Sequence, residues 1–504
     1  ISIPKGHTLR MLDNDFFKEP MPVPAQTSPL DLPVTIEPVL SFHSDDPLIK
    51  GALMLFIRDF ERYHGVKIKI TDSEKNAGFV LFRKKAEELN LKEPSVFEEC
   101  RAENYSIVLK NGRIVLNYIG LKSLNHALAA LLRLSKIKDG RIFWNYSELL
   151  DGPQCKYRAF HVDLGRNFHS VGRLFEYIDM CFCYNLSHLH LHFNENQSYT
   201  LPSKLYPKLS TKDRHYSFEE IRELNRYALR RGVSLVPEVD IPGHCNAFGA
   251  AYPKLFGTSG VICQHEDSMK AVREIVEEVC AMFPYSEYIH VGGDEADILK
   301  WTECEKCLAY FETVDKAAVD AFKAGGDGRA LAERMLAHFI NVTTDVVFKA
   351  GRTPIVWEGF NKCVNDLISR KIVVMSWENY YQTTDELLEA GFDIINCSWN
   401  PLYIVTPKKM WSPAEIMDWD IFRWTPVHPD SPYIGQTLNI DKGFKKQIWG
   451  AQLHAWGDSL AKAFEDVEQG VAKETENIAN RLPALALNLW NTPQMKEKIL
   501  KKMQ

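Results

Sequence analysis

The hydrophobic pattern changes character near residue 150. From Tyr157 onward, short apolar runs of strand type alternate with longer segments whose apolar residues recur at helical spacing. That alternation predicts βα units and a parallel sheet. The strand-type runs are Tyr157–Leu164, His188–Phe193, Val233–Val239, Tyr288–Val291, Pro354–Trp357, Ile372–Trp377, Asp393–Ser398 and Ile448–Ala455. Eight is the number that closes a (β/α)8 barrel. The helices between them carry their own boundaries. Ser217 and Glu220 make a capping box, Phe218, Ile221, Leu224, Ala228 and Leu229 form one apolar face, and Gly232 ends the helix.

Upstream the pattern is mixed. Residues 1 to about 40 are rich in proline (Pro20, Pro22, Pro24, Pro29, Pro33) and read as an extended arm. Val34–Leu40, Val66–Ile70 and Gly78–Phe82 have strand character, and Leu48–Tyr63 has helical periodicity. Tyr105–Leu109 and Ile114–Tyr118 flank Asn111-Gly112, a pair suited to a tight hairpin. A helix follows, with Leu121, Leu124, Leu128, Leu131 and Leu132 on one stripe. The expected fold is therefore α/β: a (β/α)8 TIM barrel preceded by a small α+β domain. The division falls at residues 1–152 (arm and accessory domain) and 153–504 (barrel and C-terminal helices). Leu402 to Asp441 is a long irregular insertion holding Trp411, Trp419 and Trp424.

Composition narrows the function. With 504 residues, a net charge of -6 and a pI near 6.3, the chain is a poor partner for a polyanion, so nucleic acid is excluded. No apolar run reaches the length of a membrane span. Ile1-Ser2-Ile3-Pro4-Lys5 lacks the basic-then-apolar pattern of a secretory leader. Eleven cysteines, an odd number, are scattered beside apolar runs. They read as reduced thiols and favour a cytoplasmic location. Cys304-Glu305-Lys306-Cys307 is half of a zinc-type spacing without its second pair, and these are expected to be free cysteines. No metal and no cofactor is expected.

A barrel of this kind presents its chemistry just after each strand. Asp163 and Arg166 follow strand one, Glu195 strand two, and Glu238, Asp240 and His244 close strand three. Asp294-Glu295 follows strand four. Trp357-Glu358, Trp377-Glu378 and Trp456-Gly457-Asp458 follow strands five, six and eight, and strand seven leads to Trp399 and Tyr403. Aromatic faces stack on the CH faces of a sugar, while carboxylates and arginine bind its hydroxyls, so the rim points to carbohydrate. In Tyr288-Ile289-His290-Val291-Gly292-Gly293-Asp294-Glu295 the two adjacent carboxyls cannot ionise independently. One is pushed towards the neutral acid while the other stays an anion. His188, His190 and His192 alternate on strand two and raise a rival, a metal-dependent amidohydrolase. That rival leaves the tryptophans unexplained, and the histidines are expected to fill the barrel interior.

The segments Arg158–Phe168, Pro237–His244 and His290–Glu295 resemble the signature motifs of glycoside hydrolase family 20, the β-N-acetylhexosaminidases. The resemblance covers the barrel and extends to the preceding domain. It implies substrate-assisted, retaining removal of a terminal β-linked N-acetylhexosamine, GlcNAc or GalNAc, from an oligosaccharide or glycoconjugate. Release of a disaccharide such as lacto-N-biose is the alternative. By resemblance, Glu295 is the general acid and then the base, Asp294 orients the acetamido N–H, and Tyr403 donates to the acetamido oxygen. Trp357, Trp377 and Trp456 match aromatic walls, Arg166 and Asp458 match groups that bind sugar hydroxyls, and His244 and Asp240 match a supporting shell. Glu195 takes the place of a family Asp, Asp458 that of a family Glu, and Val405 stands where the family often has an Asp. These three departures bear on the gluco-versus-galacto preference and leave the acetamido machinery untouched.

Overall fold

In the computed structural model, which describes residues 21–503, all eight expected strands form, each within a residue or two of its apolar run. They are Tyr157–Asp163, His188–His192, Ser234–Glu238, Tyr288–His290, Thr353–Trp357, Val373–Ser376, Asp393–Asn396 and Ile448–Ala455. Neighbours pair in parallel in chain order, and the last strand pairs with both the seventh and the first, so the sheet closes into a barrel. Helices return the chain between strands. The one over Phe218–Arg230 starts as the sequence dictates: the Ser217 hydroxyl accepts from the Glu220 N–H, and the Glu220 carboxylate accepts from the Ser217 N–H.

The barrel interior is unusual in its chemistry. Branched aliphatic residues commonly fill such a core. Here His188, His190 and His192 are buried, as period-two spacing on strand two predicts, and His161, His290 and His454 from other strands join them beside Trp357. Buried imidazoles and an indole need hydrogen-bond partners. Glu238, fully buried at the end of strand three, supplies them for His190, His192 and Trp357, whereas both ring nitrogens of His161 have no hydrogen-bond partner among the described residues. Its Oε2 accepts from His190 Nε2 at 2.8 Å and His192 Nδ1 at 2.7 Å, and its Oε1 accepts from the Trp357 indole N–H at 2.6 Å. Burial alone would push this carboxyl up, but the imidazoles of His192, His290 and His190 outweigh it and hold Glu238 well below the usual range.

The preceding unit is an eight-stranded mixed sheet with the helices Pro47–His64 and Leu121–Leu134. The hairpin at Asn111-Gly112 is present, with φ of 52° and 73° at its two central residues. The proline-rich arm departs from expectation. Residues 1–20 lie outside the described region, but Gln26–Ile36 is a strand paired antiparallel with Arg141–Asp151. It is an edge strand whose register slips around Pro29, which is how prolines are accommodated in a sheet. Arg141–Asp151 is itself a strand that the sequence pattern did not reveal. Ion pairing joins this unit to the barrel: Arg158 on the first strand donates to Glu103 at 2.5 Å, and Glu103 also meets His126. The helix Leu482–Trp490 adds a further tie, the Trp490 indole N–H donating to Asp151.

Glu238→Gln removes the charge that the interior histidines share. The expected loss is about 3 kcal/mol, the scale for breaking a buried charge pair. Thermal and urea melts of the variant beside the wild type check it. A loss of only a few tenths of a kcal/mol would show that the histidines do not depend on this carboxylate.

Candidate active site

A cavity of about 420 Å³ opens at the C-terminal rim of the barrel. Its aromatic side comes from four different strand ends. Trp357 ends strand five and is fixed at the floor by its bond to Glu238. Trp377 follows strand six, its indole N–H donating to the Glu358 carbonyl at 3.0 Å. Trp399 and Tyr403 follow strand seven, and Trp456 follows strand eight. The Trp377 and Tyr403 rings are parallel to within 5°, their centroids 6.4 Å apart, and Trp399 lies 5.2 Å from Tyr403. Tyr403 is placed by a short strand, Tyr403–Val405, that adds to the edge of strand eight opposite His454 and Ala455. The insertion is thus ordered where it touches the site.

The opposite side is charged. Arg166 is bracketed by carboxylates: Asp163 Oδ2 at 2.8 Å, Glu195 Oε1 at 2.9 Å and Asp458 Oδ1 at 3.6 Å. Its guanidinium also lies 5.3 Å from the Trp456 ring centre. His244 is reached by four acidic groups. Nδ1 meets Glu195 at 3.0 Å, and Nε2 lies 3.2 Å from Glu295 and 3.9 Å from both Asp240 and Asp294. The chain crosses itself tightly here. A Cβ on Gly292 would sit 2.0 Å from Asp240 Oδ1, and φ at Gly292 is 73°, so only glycine fits.

The two adjacent carboxyls are held apart electrostatically. Asp294 is buried, and burial together with the neighbouring Glu295 and Glu238 charges outweighs the pull of His244 and raises it to about 7. One of its oxygens, Oδ1, is buried with no hydrogen-bond partner among the described residues. Glu295 is about half exposed, and its hydrogen bond to His244 holds it below the usual range. Burial would lower His244, but Asp240, Glu195, Glu295 and Asp294 overcome this and raise it well above an ordinary imidazole. In this geometry Asp294 leans towards the neutral acid, and the proton nearest Glu295 sits on His244.

Of the residues expected at the site, Arg166, His244, Asp294, Glu295, Trp357, Trp377, Tyr403, Trp456 and Asp458 line one cavity. Glu195 and Asp240 do not; both are buried behind it, where Glu195 anchors Arg166 and His244. Val405 also lines it, and so do Lys408 and Lys409, two residues that sequence reasoning missed. It also left Trp399 and Glu378 without a role, although both stood at strand ends. Glu378 is buried in the lining, and burial with the nearby Glu295, Glu358 and Asp294 charges raises it to about 9. Its counterpart Glu358 is structural: it accepts backbone N–H groups from Trp377, Asn379, Tyr380 and Tyr381. The insertion tryptophans divide. Trp419 and Trp424 are buried and donate to the carbonyls of Arg423 and Ser376, so they pack the loop. Trp411 is only partly buried, with Lys409 nearby.

Three kinds of side-chain cluster have the make-up of a metal site. The histidines around Glu238 converge, as do Asp240, His244 and Asp294. The interior histidines are sealed from solvent and already bonded to Glu238, whereas a catalytic metal needs an open position. Cys263, Cys304 and Cys307 form a separate cluster away from the cavity lining.

Residues 155–493 match glycosyl hydrolase family 20, catalytic domain. The β-hexosaminidase of Akkermansia muciniphila is 28% identical over 291 residues, covering 52% of this chain and 56% of that protein. β-Hexosaminidase 3 of Arabidopsis thaliana is 24% identical over 349 residues, covering 67% of this chain and 58% of that protein. The matches thus span little more than half the length of these two relatives. Among solved structures, the exo-β-N-acetylglucosaminidase of Vibrio harveyi in complex with N-acetylglucosamine superposes with a TM-score of 0.73 at 20% identity. That likeness covers 95% of this chain and 75% of the other. The β-N-acetylhexosaminidase of Bacteroides fragilis gives 0.68 at 21%, covering 96% and 94%. At such identities these likenesses show the shared fold.

Glu378 makes a pH prediction. Its folded pKa is raised, so the folded state holds a proton that the unfolded state releases, and stability is lost as pH rises from the ordinary 4.5 to about 9. Glu378→Gln removes this loss. The melting temperature of the variant should therefore gain on the wild type progressively across that window. Parallel melting curves between these limits would contradict the buried neutral acid.

Proposed function

The chain belongs to glycoside hydrolase family 20, and on that premise we propose that it removes a terminal β-linked N-acetylhexosamine from an oligosaccharide or glycoconjugate, with retention and with assistance from the substrate's own acetamide. The observation that carries this reading is Asp294 Oδ1, a buried acceptor without a partner among the described residues, beside a box of aromatic rings. An acetamido N–H supplies the missing donor. The rings of Trp357, Trp377, Trp399 and Trp456 then enclose the methyl and the sugar face, and the Tyr403 hydroxyl donates to the acetamido oxygen.

Each step follows from the charges in place. The acetamido oxygen attacks the anomeric carbon as the glycosidic bond breaks, so the protein supplies no nucleophile, a known exception to the two-carboxylate retaining scheme. The leaving oxygen needs a proton. Glu295 delivers it, recharged from His244 along the 3.2 Å contact. Asp294, with its N–H donor in place, passes its proton to His244, 3.9 Å away and just deprotonated by Glu295, and as an anion stabilises the oxazolinium cation. Glu295, now a carboxylate, takes a proton from the water that opens the ring. The cavity of about 420 Å³ lies at the small end of ligand pockets and favours one sugar over a disaccharide. Arg166 and Asp458 are placed to bind outer hydroxyls of that sugar. The eleven free cysteines support a reducing, cytoplasmic setting.

The direct test compares aryl N-acetyl-β-glucosaminide, N-acetyl-β-galactosaminide and lacto-N-bioside as substrates. Turnover of one or both monosaccharides is expected, and turnover of none would falsify the reading. Glu295→Gln should cut kcat on poor leaving groups by about 10²–10⁴-fold while keeping substrate affinity. Asp294→Asn should lower kcat by about 10²–10³-fold through the lost stabilisation of charge. Steady-state kinetics decide both, and full activity in either variant would remove that residue from its role.

A further inference from the structure

Three thiols distant in sequence converge on one point outside the cavity. Cys263 ends the long loop after strand three, and Cys304 and Cys307 stand at the start of the helix Glu305–Val314, which follows strand four. Cys263 Sγ lies 3.3 Å from Cys307 Sγ and 3.6 Å from Cys304 Sγ, and all three sulfurs lie within 4.8 Å of one another. Sulfurs about 2.3 Å from a tetrahedral zinc ion stand about 3.8 Å apart, close to this spacing. A disulfide would draw two sulfurs to about 2.05 Å and leave the third unpaired, whereas Cys263 stands between two partners. Cys307 is buried, while Cys263 and Cys304 reach the surface. The Cys307 Sγ also receives the Gln264 backbone N–H at 3.3 Å, a contact that suits a thiolate sulfur.

We propose that Cys263, Cys304 and Cys307 are thiolate ligands of a structural zinc-class cation, whose fourth position faces solvent. Binding exchanges the thiol protons for metal–sulfur bonds and needs no oxidant. The ion would pin together the two loops that deliver His244 and Glu295. They already touch nearby, where the Trp301 indole N–H donates to the Ile262 carbonyl at 2.8 Å and Gly243 packs on the Asp294 carbonyl. The site is a brace, set apart from the hydrolytic chemistry.

The test uses the full chain, purified under reducing conditions, loaded with zinc and freed of excess metal before elemental analysis. Stoichiometric zinc is expected in the wild type and in Cys363→Ser, which changes an exposed thiol elsewhere. Cys304→Ser and Cys307→Ser should fall to background. Cobalt added to the metal-free wild type should give the thiolate-to-metal absorption of a sulfur-rich site, a readout independent of whether any variant folds. The zinc-loaded protein should also melt higher than the stripped protein. Background zinc in the wild type with no cobalt–thiolate band overturns the proposal. So does a thiol titration that falls two short of eleven until a reductant is added, since that result marks a disulfide.

Discussion

A single imidazole holds the site together. Five carboxyl groups, from Glu195, Asp240, Asp294, Glu295 and Glu378, crowd the rim around His244. Like charges this close cannot all ionise in a buried setting. His244, held as a cation, contacts four of them and divides them into anions and acids. Glu195 and Glu295 are anchored as anions on its two nitrogens. Asp240, Asp294 and Glu378 are pushed up by burial and by their neighbours. Arg166 carries the same logic to the outer edge, where three carboxylates share one guanidinium.

That arrangement rests on a second buried hub. The barrel interior is lined with histidines and Trp357, which would be costly to bury without partners. Glu238 satisfies His190, His192 and Trp357 at once. His192 in turn lies 3.2 Å from Glu195, which holds His244. A chain of charge-assisted contacts therefore runs from the barrel core to Glu295, and the cavity floor and the charged rim are positioned by one network. The separate cysteine cluster lies where the loops from strands three and four meet, the same two loops that bring His244 and Glu295 within reach.

The electrostatics also sharpen what an Asp-Glu pair means. Adjacency alone predicts one acid and one anion. The fold chooses which, because Asp294 is buried and Glu295 is half exposed and paired with His244. In the proposed substrate-assisted hydrolysis this becomes an exchange of protonation: an amide donor lets Asp294 give its proton to His244, and His244 recharges Glu295.

The sequence by itself determined the barrel, because eight apolar runs of strand length separated by capped helices leave little else to build. It also determined the acid pair and most of the aromatic wall, since each stands directly after a strand and strand ends converge on one rim. The tertiary structure decided what depends on distance across the chain. Glu195 and Asp240 moved behind the cavity while Glu378 and Trp399 entered it, because strand-end position does not say which way a side chain turns. Trp419 and Trp424 became packing, since their indole N–H groups found backbone partners within the insertion and at strand six. Gln26–Ile36 became an edge strand because a partner far along the chain, Arg141–Asp151, offered the hydrogen bonds. Cys263 joined Cys304 and Cys307 for the same reason: forty residues apart in sequence, they meet only when strands three and four lie side by side.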